Sequence, residues 1–218
     1  MDIFSYLMGK KSGGSSPTPP TPFIPDDYTQ VMWVVSSGTQ YIDTGYKIKS
    51  NTKIEIFGRI NMGLGAGAMC GCRNSANVNN YFIATKSIKE GDVITASYFQ
   101  INYGDTDYLA TNDKCDDFSY ISISSNEIKV NTTTYSDITI SNSPDYNFYL
   151  FCLNSGGTAV AFSTSRIGRF RVSEGDNVVV ELIPCYRNSD NEVGFYDRVS
   201  NTFLTNQGTG TFTYQELI

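Results

Sequence analysis

The chain contains no histidine. That absence removes the Ser-His-Asp triad, the Cys-His dyad and every His-ligated zinc, iron or copper site. Any catalysis would fall to carboxylates, Tyr, Lys or Cys. Charge is also sparse: charged residues make up 17%, against about 25% in an average soluble protein. Basic excess is lacking, with 16 Lys and Arg against 22 Asp and Glu and a net charge of −6. Such a balance disfavours nucleic-acid partners, because it does not attract phosphate backbones. No run approaches the ~18–20 apolar residues a membrane helix needs. The amino terminus carries its apolar group before Lys10 and Lys11, the reverse of a secretory signal. The five cysteines, at 70, 72, 115, 152 and 185, are odd in number. Cys70 and Cys72 form C-x-C rather than a metal-binding C-x-x-C pair. They are expected as buried free thiols, made in a reducing cytoplasm.

What is present points to strands. In 218 residues, aromatics reach 13%, with 15 Tyr, 13 Phe and 19 Gly; this is the composition of a turn-rich all-β protein. Short β-forming runs recur at Gln30–Ser36, Lys53–Ile60, Tyr81–Thr85, Val93–Phe99 and Phe118–Ile123. Glu127–Asn131 and Asp137–Ser141 read as the arms of a hairpin. Asn147–Leu153 is continuously apolar, as in a strand buried on both faces. Arg166–Ser173 and Asn177–Ile183 follow, and Gly, Asn or Asp sits at the intervening turns. About a dozen strands with no helical window predict a two-sheet antiparallel sandwich or jelly roll over 28–218.

Residues 1–27 read differently. Asp2 is placed to cap a short helix over 1–11. Ile3, Phe4, Leu7 and Met8, with Tyr6 beside them, gather on its apolar side, and Lys10 and Lys11 sit at its C-terminal end. A helix this short is marginal alone and needs a surface to pack against. A Gly/Ser stretch follows, and five of the seven prolines lie between 17 and 25. Residues 12–27 therefore read as a tether, with a polyproline part able to span roughly 25 Å. Ile3, Phe4, Tyr6, Leu7 and Met8 are the expected partner-docking residues.

Three blocks carry a family resemblance: Tyr41-Ile42-Asp43-Thr44-Gly45-Tyr46, Tyr149-Leu150-Phe151-Cys152-Leu153-Asn154, and a C-terminal block. The last runs Ile183-Pro184-Cys185-Tyr186-Arg187-Asn188-Ser189-Asp190, Gly194-Phe195-Tyr196-Asp197, Asn201-Thr202-Phe203 and Asn206-Gln207-Gly208-Thr209-Gly210-Thr211-Phe212. This resembles the concanavalin A-like, laminin-G-like jelly-roll domains of phage structural proteins and gut-bacterial surface proteins. The N-terminal peptide and tether resemble the docking ends of phage head fibres and decoration proteins. The resemblance implies a non-enzymatic virion structural protein, made in the host bacterial cytoplasm. Its N-terminus would anchor to the major capsid protein or another virion protein, and its lectin-like sandwich would be displayed for adhesion to surface glycans. Alternative readings are a tail-fibre or receptor-binding component and a bacterial carbohydrate-binding module. A homo-oligomer is compatible with any of them.

The resemblance also frames the candidate sites. Related glucanases carry E-x-D-x-x-E on a strand, and the separation of the two carboxylates sets the stereochemical outcome. Glu174-Gly175-Asp176 is the nearest approach, with Val179 where the second Glu belongs, so no catalytic residue is assigned. Calcium is the one cofactor in view, since related laminin-G domains use loop Asp ligands; Asp105 and Asp107 are the candidates, against a reading of them as solvated loop acids. Tyr98, Tyr103 and Tyr108 are the candidate glycan-binding aromatics, against a reading in which each packs under a loop. The C-terminal block reads as structural. Tyr196, Asp197 and Asn201 would form a tight turn, Gly208 and Gly210 would meet special backbone demands, and Phe203 and Phe212 would plug the core.

Overall fold

A computed structural model describes residues 24–61, 67–104, 108–136, 138, 140 and 143–217. The predicted helix and docking residues Ile3, Phe4, Tyr6, Leu7 and Met8, most of the tether, and Asp105 and Asp107 lie outside the described residues. Among the described residues the chain is all-β. The strands are β1 (Tyr28–Gln30), β2 (Trp33–Val35), β3 (Ile42–Lys47), β4 (Thr52–Ile60), β5 (Ala68–Arg73), β6 (Asn80–Glu90), β7 (Val93–Gly104), β8 (Tyr108–Lys114), β9 (Ser119–Ile123) and β10 (Ile128–Val130). They continue as β11 (Thr133–Tyr135), β12 (Asn147–Leu150), β13 (Leu153–Ser155), β14 (Thr158–Val160), β15 (Ser165–Glu174), β16 (Asn177–Arg187), β17 (Val193–Asp197), β18 (Thr202–Thr205) and β19 (Thr213–Gln215).

The strands form two sheets packed as a jelly-roll sandwich. The larger, eleven-stranded sheet runs β11-β10-β9-β4-β15-β16-β17-β18, with β1 on β16 and with β2, on β15, carrying β19. The smaller, eight-stranded sheet runs β14-β13-β5-β6-β7-β8, with β12 bridging β3 and β5. Pairing is antiparallel apart from β13 on β5, which is parallel (Asn154 opposite Cys72).

Side chains alternate across each strand, and β4 shows why the sheets meet where they do. Thr52, Ile54, Ile56, Gly58 and Ile60 point into the sandwich, and Lys53, Glu55, Phe57 and Arg59 point out. On β15, Ile167, Phe170 and Val172 point inward, and a bulge at Gly168 resets the register between Ile167 and Arg169. Phe148 from the small sheet stacks on Phe170 from the large one, centroids 5.5 Å apart. Phe151 packs against Phe195 and Phe212 at 6.2 and 4.9 Å. The five cysteines are buried free thiols, as expected. Burial pushes their pKa values up, to about 11 for Cys115 and about 12 for Cys185, so they stay protonated and inert.

Three expectations need correction. The single strand expected over Gln30–Ser36 is two, because the NH groups of Val31 and Met32 leave the ladder to donate to Pro184 O and Gln215 O. The continuous strand expected over Asn147–Leu153 breaks at Phe151, which takes a left-handed φ of 70°. This places its NH on Met69 O and its ring in the core. The hairpin expected between Glu127–Asn131 and Asp137–Ser141 is instead β10 with β11, turning at Asn131 (φ 53°). Ile24 packs with Ile183, Cys185 and Tyr196 on the outer side of the large sheet.

Because Phe170 is fully buried and joins the two sheets, Phe170→Ala should cost ~3–5 kcal/mol, lowering Tm by roughly 10 °C. Calorimetry of the variant checks this.

Candidate functional site

Of the tyrosines expected to bind glycan, Tyr98 and Tyr103 are not brought together. On β7, Phe99 and Ile101 are core residues, so odd positions face inward: Tyr103 packs against the core, and Tyr98 projects from the opposite face. Tyr98 is flanked in register by Lys86 and Lys114. Tyr108 opens β8 opposite Asn102. Glu174 and Asp176 lie at the β15–β16 turn around Gly175 (φ 59°). The Glu174 carboxylate takes a salt bridge from Lys49 at 2.7 Å and a hydrogen bond from the Tyr46 hydroxyl at 3.1 Å. It pins a turn, and no second carboxylate faces it at Val179. Among the described residues, no group of three or more His, Cys, Asp or Glu is placed to hold a metal ion.

A different aromatic group stands on the outer face of the small sheet. Ile42 and Thr44 of β3 point inward, which turns Tyr41 and Asp43 outward. Tyr149 lies between Asp43 and Gly71 in register, and its ring meets Tyr41 at 4.8 Å with a 31° tilt. Phe162 approaches Tyr41 edge-on at 6.1 Å. Phe82 lies across Gly71, where an added Cβ would come 2.1 Å from the Phe82 Cβ; Gly71 separates Phe82 from Tyr149 in register. Asp43 accepts from the Gly45 NH at 2.8 Å and from the Asn147 amide at 3.2 Å. A carboxylate offers about four lone-pair sites, so it can also accept from a ligand. Burial, reinforced by the Asp43 charge, pushes the Tyr149 phenol up to about 12. Burial also raises Tyr41, helped by Cys152 and Asp43. Both phenols stay neutral and can donate.

The C-terminal block holds Tyr41 in place. Asn206 Oδ1 accepts from the Tyr41 NH at 3.1 Å and the Gly208 NH at 2.8 Å, and its amide donates to Gly210 O at 2.9 Å. Gln207 NH reaches Tyr41 O, and Thr209 NH reaches Thr39 O. The Gln40 amide donates to Thr211 O at 3.1 Å. Gly208 passes so close to the 39–40 backbone that a Cβ would lie 2.2 Å from Thr39 O. The structural reading of this block therefore holds. Asp197 caps its turn, accepting from the Val199 NH and the Ser200 hydroxyl, and Asn201 takes φ 56°. Phe212 is in the core, while Phe203 joins Tyr28 over the outer cluster.

Tyr41, Asp43, Tyr149, Asn147 and Phe82 were missed as a site by sequence reasoning. The outward parity of Tyr41 and Asp43 around Ile42 was the available signal. Tyr149 was hidden in an unbroken apolar run. A second outward aromatic group, Trp33, Phe118 and Phe57 on the large sheet, stacks with centroids 4.5 and 5.2 Å apart.

No family model and no curated protein matches the sequence. Among solved structures, the chain is similar to a "putative carbohydrate binding protein" from Bacteroides ovatus ATCC 8483. Identity is 11% and the TM-score 0.54, over 87% of this chain and 61% of that one; the chain thus spans about three fifths of that protein's length. A native heptameric SAP-like pentraxin from Limulus polyphemus aligns at 6% identity and a TM-score of 0.43, over 66% of this chain and 76% of that one. The likeness to the first structure supports the concanavalin A-like jelly-roll class of fold.

Gly208→Ala forces the clamp off the 39–40 backbone, so it should destabilise the fold by about 1–3 kcal/mol, the usual cost of overpacking. Denaturant titration of the variant measures this.

Proposed function

We propose that this is a non-enzymatic carbohydrate-binding sandwich that holds a saccharide on the outer face of its small sheet. The observation that carries this is the Tyr41–Tyr149 pair beside Asp43 and Asn147. Saccharides present apolar C–H faces ringed by hydroxyls. They suit an aromatic platform for the ring and a carboxylate–amide pair for the hydroxyls. The first solved neighbour, described as carbohydrate binding, agrees with this reading. Tyr41 supplies the stacking face, Asp43 and Asn147 the polar contacts, and Phe82 and Phe162 flank the platform.

Titration of the full chain with a panel of neutral oligosaccharides should find a binder. Tyr41→Ala should weaken it about tenfold or more, a loss of ~1.4 kcal/mol, with Tm little changed. A panel with no binder, or a Tyr41→Ala variant of unaltered affinity, contradicts the assignment.

A second reading rests on residues 1–27. An apolar group ending in two lysines, followed by a Gly/Ser and polyproline tether, is the layout of a displayed domain. We infer that the chain is a bacteriophage virion protein anchored by Ile3, Phe4, Tyr6, Leu7 and Met8 to the capsid, with the sandwich facing outward. Full-length protein should co-sediment with capsids, and Phe4→Asp should abolish this while leaving the melting temperature unchanged. Equal co-sedimentation of both forms would remove the N-terminal segment as the anchor.

A further inference from the structure

The outer face of the large sheet differs in chemistry from the rest of an acidic chain. Arg166, Arg169 and Arg171 stand outward along β15, and Lys53 and Arg59 stand outward on the adjoining β4. Two carboxylates, Glu55 and Glu181, face these five cations. Glu181 is taken by Arg169 at 2.6 Å and shared with Arg198 at 3.3 Å. Glu55 receives Lys53 at 3.0 Å and the Tyr120 hydroxyl, and Arg171 reaches it only at 4.0 Å. Burial would raise the Glu55 pKa, but the Tyr120, Lys53 and Arg171 contacts outweigh it and hold the carboxyl below its ordinary value. Both acids are therefore already committed.

The remaining positive charge is concentrated at one place. Arg59 and Arg166 are directly opposite each other in the β4–β15 register, an arrangement of like charges that destabilises a sheet. Val35 occupies the other side of Arg166, so no acid stands opposite it on either neighbouring strand. Arg59 donates to the uncharged Asp116 main-chain carbonyl at 2.9 Å, and its guanidinium lies 5.4 Å over the Phe118 ring. The aromatic group of Trp33, Phe118 and Phe57 continues from that ring. Cations at successive outward positions on a strand recur every ~7 Å. The guanidinium fork pairs with a carboxylate bidentately, as Arg187 already does with Asp190 on the same chain.

We propose that this face binds a polyuronate, a polysaccharide carrying a carboxylate on each sugar. Arg166 and Arg59 take the carboxylates, and the Trp33–Phe118 surface takes a sugar ring; Arg171 stands between Glu55 and Glu181 in register and stays with them. A polyuronate combines the anion that relieves the Arg59–Arg166 repulsion with the ring that an aromatic surface accepts. This shares with the proposed function only the saccharide class, and it stands on the opposite side of the sandwich with its own residues.

The test is titration of the full chain with polygalacturonate oligomers, with heparin and single-stranded DNA as parallel polyanions. We expect polygalacturonate to bind at low salt and to weaken as salt screens the arginines. The variant Arg166→Gln should bind at least tenfold more weakly. Arg166→Lys should recover only part of the loss, because lysine keeps the charge without the fork. Tyr41→Ala should leave polygalacturonate binding intact, which separates failure here from failure of the neutral-saccharide site. The Arg166→Gln variant should melt no lower than the parent, because it removes the Arg59–Arg166 repulsion. No binding of polygalacturonate, equal binding by the glutamine variant, or binding of heparin or DNA with none of polygalacturonate each overturns the proposal.

Discussion

Everything in this molecule depends on strict alternation of side chains along strands that belong to two facing sheets. The long strands have one set of residues that the sandwich must bury and one set that faces outward, while β5 and β17 are covered on both faces. On β4 the inward set is Thr52, Ile54, Ile56, Gly58 and Ile60, and the outward set is Lys53, Glu55, Phe57 and Arg59. The core is complete without the outward residues, since Phe99, Phe148, Phe151, Phe170 and Phe195 fill it. Aromatics on the outer faces are therefore surplus to that core, although Tyr28, Tyr196 and Phe203 build a second cluster of their own. Tyr41 and Tyr149 on one side and Trp33 and Phe118 on the other are the features from which function is argued.

The recognisable C-terminal motif belongs to the same logic, one step removed. Asn206, Gly208 and Gly210 touch no ligand surface of their own. They clamp the segment before β3, and that segment sets where Tyr41 emerges. A motif that encodes the fold thereby fixes the geometry of the proposed binding face. The left-handed Phe151 acts similarly: by ending β12 it drives its own ring into the core, while Tyr149, two residues earlier, points to the other side of the sheet and is buried beneath Tyr41.

Much of the fold was legible in the sequence because alternation is local. Lys53–Ile60 and Arg166–Ser173 could be read residue by residue. The breaks were not legible in the same way. Phe151 interrupts an apolar run that looks continuous, and only the tertiary environment repays its backbone conformation. The second arm of the β10–β11 hairpin was misplaced because Asn131 takes the turn with a positive φ that its residue type permits but does not demand. The glycan-binding expectation for Tyr98 and Tyr103 overlooked parity: positions five apart in one strand face opposite ways. The observed group could not be assembled from the sequence at all. Asp43, Gly71 and Tyr149 meet through the pairing of β3, β5 and β12, and that register is long-range.

The most direct test is backbone chemical-shift mapping of the full chain with the tightest neutral oligosaccharide from the panel. The account predicts perturbations confined to residues 41–43, 147–149, 82 and 162, with the large-sheet strands unmoved. Perturbations centred on the β7–β8 loop, or spread evenly through the core strands, would contradict the claim that the surplus outward aromatics of the small sheet form the site.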